Sequence, residues 1–124
     1  MIRAAALVAA LAASPALAAP LLELRVGPVA AEAEARDIVS VAPVLDAQPG
    51  FDITISERFS EAVGKLTAAH VGEELRLSIC GEVVMRPRIM EPILGTGMRL
   101  MPIPPEKAQP YLLWLTGREP CPEE

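Results

Sequence analysis

Leu22, Leu24 and Val26 alternate with Glu23 and Arg25, the period of two expected of a half-buried strand. Gly27-Pro28 ends that run. Residues 30–37 (AAEAEARD) are rich in Ala and Glu but carry no strong apolar face, and they read as a loop or a short frayed helix. Residues 38–45 are β-branched and apolar with Pro43 among them, the mark of an edge strand. Gln48-Pro49-Gly50 is a turn signal. Phe51, Ile53 and Ile55 then alternate with Asp52 and Thr54 as a second half-buried strand.

The pattern changes period after Ser56, which is placed to cap a helix. Phe59, Val63 and Leu66, with Ala62 and Ala69, fall on one face at helical spacing, and Gly72 closes the region. Glu57 and Glu61 sit in the first turns, where the helix dipole favours negative charge. Leu75, Leu77 and Ile79 return to period two, Cys80-Gly81-Glu82 turns, and residues 83–85 begin a return strand that meets Pro87. Proline cannot donate to a ladder, so this strand is expected to pair briefly and peel away, leaving unpaired backbone groups on its neighbour. Residues 89–94 continue extended, Gly95-Thr96-Gly97 turns, and residues 98–103 give a last strand. Ala108, Tyr111, Leu112 and Leu115 share a face of a final helix that Pro104-Pro105 can open and Gly117 can stop. Pro110 places the well-formed part of that helix near itself. The layout is α+β: a mostly antiparallel sheet with two helices packed on one face.

The first 18 residues stand outside this pattern. One positive charge at Arg3 precedes an apolar run over residues 4–13, then Ser14-Pro15 and the small-x-small Ala16-Leu17-Ala18. These features describe a secretory signal peptide cut after Ala18, with residues 19–124 as a single exported, periplasmic domain. The run is shorter than the ~20 residues of a membrane span, and no later segment is long and apolar enough to be one. Removing the leader takes the 11 basic residues to 10 against 16 acidic. That balance argues against nucleic acid or an anionic membrane surface as a partner.

Export also frames the two cysteines. In an oxidising compartment Cys80 and Cys121 are a candidate disulfide, closing a loop of about 40 residues for roughly 3–4 kcal/mol; two unpaired thiols are the alternative. No CxxC is present to support redox catalysis.

No catalytic constellation emerges, and neither a cofactor nor a metal is expected. His70 is the single histidine, and Glu73, Glu74 and Glu82 read as surface charge. Met85, Met90, Met98 and Met101 cluster in sequence, so their sulfurs could fill core, form an adaptable surface, or bind Cu(I) in a small metal- or ligand-binding protein. A hairpin interrupted at Pro87 offers another use, because an open strand edge can accept an extended peptide. The candidate contacts are Val83, Met85, Arg86, Pro87 and Arg88, with Trp114 as a second anchor off the apolar stripe of the last helix. The partner would be unfolded or envelope polypeptide. Edge protection is the competing explanation of the prolines.

The ordered set Phe59, Thr67, Gly72, Leu75, Leu77, Ile79, Gly81, Val83, Pro87, Ile89, Gly95 and Gly97, opened by LELRV and closed by a helix over residues 106–117, resembles a known module. It is similar to the periplasmic head subdomain in the first large periplasmic loop of SecD and SecDF, accessory subunits of the protein-export translocase. The resemblance spans residues 21–117. It implies that subdomain's fold and contact with polypeptide in the periplasm, but not the membrane-coupled motor role, which needs membrane helices. It departs at the hairpin turn, where Cys80-Gly81 stands for the usual Asp-Gly.

Overall fold

The computed structural model describes residues 19–122; the expected signal peptide lies outside them. Ten elements follow in order: β1 (Leu22–Val26), β2 (Val29–Ala33), a 3-10 turn (Ala35–Asp37), β3 (Ile38–Val44), β4 (Gly50–Ile55), α1 (Glu57–Ala69), β5 (Arg76–Ile79), β6 (Glu82–Met85), β7 (Gly97–Leu100) and α2 (Pro105–Leu115). The α+β class holds, with all strand pairs antiparallel, but the strands divide between two sheets. One has the order β2-β1-β5-β6 and the other β3-β4-β7. Helix α1 packs on β2 of the first, and α2 contacts β3 of the second.

Residues 30–33 of the Ala/Glu-rich stretch belong to a strand rather than a loop or helix, and residues 35–37 form the short 3-10 turn. Gly27 has φ 57°, a positive value followed by a proline, which suits a two-residue hairpin turn of the II′ kind. The turn folds β2 back on β1, pairing Val26 with Val29, Leu24 with Ala31 and Leu22 with Ala33. Ala31 and Ala33 are buried while Glu32 is exposed. Tertiary pairing thus overrides the helix propensity of alanine, and the small side chains let α1 lie close to the sheet.

Between the sheets the chain turns a corner held by one carboxylate. Asp37 is 1% exposed. Its side chain accepts hydrogen bonds from the Glu34 N–H at 2.9 Å, from the Ser56 hydroxyl at 2.7 Å and from the Arg58 guanidinium. Its backbone carbonyl accepts from the Ser56 N–H at 2.8 Å. The corner, the start of β3 and the N-terminus of α1 are therefore fixed by one residue. Ser56 caps α1 as expected, its oxygen accepting from the Phe59 N–H at 3.1 Å.

Phe59, Val63 and Leu66 of α1 join Leu22, Leu24, Leu75, Leu77 and Ile79 in a continuous core, which extends to Phe51, Ile53, Ile55, Leu100, Ile103, Tyr111 and Leu115. Thr67 is fully buried in it; its hydroxyl donates to the Val63 carbonyl and accepts from the Ile93 N–H, both at 2.8 Å. That second bond pins the extended segment 89–94 to α1. The last strand is shorter than expected, ending at Leu100, while Ile103 stays buried and donates its N–H to the Pro49 carbonyl at 2.8 Å. Helix α2 runs from Pro105 through Pro110 instead of starting there. Pro110 removes one bond, to the carbonyl of exposed Glu106, where water can replace it.

Candidate functional site

The β5–β6 hairpin is closed by Cys80 and Gly81, with φ of 52° and 83°. Two successive positive φ values define a type I′ turn, whose first position favours Asn, Asp or Gly. Cys80 occupies it while bonded to Cys121, with Cα atoms 5.4 Å apart. The disulfide carries the tail after α2 back to the hairpin. On the other side of the turn, Glu82 pairs with Lys107 of α2 at 2.6 Å, and that carboxylate holds the Lys107 pKa above its ordinary value.

Pro87 does not make the return strand peel away. The Leu75 N–H donates to the Pro87 carbonyl at 2.7 Å, Ile89 donates to Glu73 at 2.9 Å and Gly72 to Ile89 at 2.7 Å. Glu74 and Arg88 form a bridge between these bonds, and the Arg88 guanidinium adds a bond to the Gly72 carbonyl. The expected row of unpaired groups on the neighbouring strand is therefore absent. A shift of register between Leu77 and Ser78 absorbs the irregularity. Pro87 withholds only the N–H it would have returned to the Leu75 carbonyl.

What remains open on this side is the outer edge of β6. Val83, Arg86, Pro87 and Arg88 are exposed there and Met85 is half-buried. Trp114 is not part of this surface. It is half-buried, its ring centroid 5.6 Å from that of Tyr111, and it lines a groove at the opposite edge of the same sheet. Edges β6 and β2 stand three strand spacings apart, about 14 Å.

That groove, of about 940 Å³, was not foreseen from the sequence. It is lined by residues 30–35, by Arg58 and Ala62 of α1, by Trp114 of α2 and by Glu119, Pro120 and Cys121 of the tail. The only signal for it was the alternation hidden in Val29–Ala33, muted because alanine is a weak marker of burial.

The residues considered for chemistry do not converge. Met85 lies on β6, Met98 on β7 of the other sheet, and Met90 in a loop at 78% exposure. His70 contacts Glu73 at 3.1 Å on the surface. Among the described residues, no group of three His, Cys, Asp or Glu side chains is disposed to hold a metal ion. The strongest electrostatic perturbation lies at Asp37. Burial there raises the carboxyl pKa, but the Arg58, Glu34 and Ser56 donors together outweigh it and bring the value down to about 2. That carboxylate is structural, with its acceptor sites taken by the corner it holds.

No protein-family model and no curated protein matches the chain. Solved structures do, two of SecDF among them. One is of SecDF, described as a membrane component that enhances protein export; it matches with a TM-score of 0.57 and 21% identity over 66% of this chain and 39% of that one. The other is SecDF in a super-membrane-facing form, with the same TM-score, identity and share of this chain but 12% of its own. The chain thus has the fold of a SecDF domain and spans well under half the length of either structure. Among the described residues, no helix is long and apolar enough to cross a membrane.

Proposed function

We propose that this chain is a non-enzymatic, exported accessory module that binds polypeptide, or another envelope protein, in the setting of protein export. The observation that carries the reading is the likeness to SecDF, a component that enhances protein export. Two open edges on one sheet give such a module places to hold an extended chain. Val83, Met85, Arg86, Pro87 and Arg88 are the contacts at the β6 edge, where the two arginines favour acidic segments. Trp114 serves the β2 edge. The leader-like N-terminus and the Cys80–Cys121 disulfide agree with action in an oxidising periplasm. Titration of isotope-labelled protein with a reduced, carboxymethylated polypeptide tests the reading: amide shifts should gather along one of the edges. Absence of shifts at millimolar concentration would remove it.

A further inference from the structure

We infer that the groove beside β2 is a docking site for an extended basic peptide, which adds to the four-stranded sheet as a fifth strand next to β2. This rests on the polypeptide-binding reading and names the site and the chemistry it selects.

The backbone supplies the first argument. A two-residue turn makes Val26 and Val29 a hydrogen-bonded pair, so bonded and non-bonded pairs alternate from there. Val29, Ala31 and Ala33 face β1, and Ala33 also accepts from the Leu21 N–H at 3.2 Å. Ala30 and Glu32 must then direct their N–H and C=O groups outward, into the groove. The next N–H, of Glu34, is already committed to Asp37, which ends the open edge. The available stretch thus offers two complete donor–acceptor sites to an incoming strand. Small side chains at residues 30, 31, 33 and 35 leave that backbone accessible, and residues of α1 and α2 line the groove beside it.

Charge supplies the second. Glu32, Glu34 and Glu119 line the groove, and all three are exposed. The cation among them, Arg58, is engaged by buried Asp37. Glu34 pairs with Arg36 at 3.5 Å, so the negative charge the rim offers to lysine or arginine of the peptide comes from Glu32 and Glu119. Trp114 adds an aromatic surface for the apolar residues between them. The β6 edge has the opposite sign, carried by exposed Arg86 and Arg88.

The test titrates labelled protein with a nine-residue peptide alternating valine and lysine, and in parallel with its valine–glutamate counterpart. The lysine peptide should shift the amides of residues 30–34 and the Trp114 indole. It should bind at least tenfold more tightly than the glutamate peptide. Glu32→Pro, which removes an outward N–H without touching the β1 ladder, should weaken it tenfold or more. Glu32→Lys should weaken the lysine peptide up to about fivefold and favour the glutamate one; should Glu32→Pro not fold, an unchanged preference in Glu32→Lys overturns the assignment. Shifts confined to residues 82–88 would overturn the groove while sparing polypeptide binding. No shift from either peptide would overturn both. Concentration-dependent shifts at residues 30–34 without peptide would give the groove to a second copy and overturn the proposal.

Discussion

Asn in place of Asp37 preserves the size of the side chain and removes its charge. Asp37 is buried and receives three sets of donors, from Glu34, Ser56 and Arg58. Its carboxyl pKa falls from 3.8 to about 2 on folding. Because the folded value lies below the unfolded one, the stabilisation is complete above pH 3.8 and is lost as pH falls through the folded pKa. By linkage it amounts to about 2 kcal/mol at neutral pH, about 1 kcal/mol near pH 3 and little below pH 2. Asp37→Asn forfeits this and leaves Arg58, together with Ser56 or Glu34, facing an amide N–H₂, so the total loss at pH 7 should be about 2–4 kcal/mol. The assay is urea denaturation of both proteins at pH 7 and pH 3. The gap in unfolding free energy should narrow by roughly 1 kcal/mol on acidification. A gap that is the same at both pH values, or below about half a kcal/mol at pH 7, would refute the assignment of Asp37 as the charged clasp of the corner.

Reducing the Cys80–Cys121 bridge should lower stability by roughly 3–4 kcal/mol, read as a shift in urea midpoint, and should speed hydrogen exchange over residues 116–122. Thr67→Val keeps the shape but leaves the Ile93 N–H without its acceptor. A loss of about 1–3 kcal/mol, with faster exchange at Ile93, is expected. Phe59→Ala, at a fully buried position, should cost about 3–5 kcal/mol by thermal or urea unfolding.

Much of the fold was legible wherever large apolar residues carried the period. Leu22, Leu24 and Val26, the Phe51–Ile53–Ile55 alternation, and the Phe59–Val63–Leu66 face all fell where expected. Ser56 as a cap and the Cys80–Cys121 pairing did so as well. Val29–Ala33 was missed because alanine carries almost no contrast between buried and exposed faces. That omission also concealed the groove, since the edge strand that borders it was not recognised. The division into two sheets depends on the Asp37 corner, and its side-chain donors Ser56 and Arg58 lie 19 and 21 residues away in sequence. Pro87 was read correctly as a missing donor. Its consequence was overestimated, because the ladder resumes beyond it through residues that proline does not affect.

Cys80 places the hairpin at a compromise that no single replacement improves. Asparagine or glycine would relax its left-handed backbone by roughly 1 kcal/mol, yet either would forfeit the several kcal/mol held in the covalent tether. Losing the tether would also release the segment at Glu119 and Pro120 that forms one lip of the groove. The geometry of one loop and the integrity of the recess that Cys121 lines thus hang on the same bond, and a better turn would come at the cost of a poorer cleft.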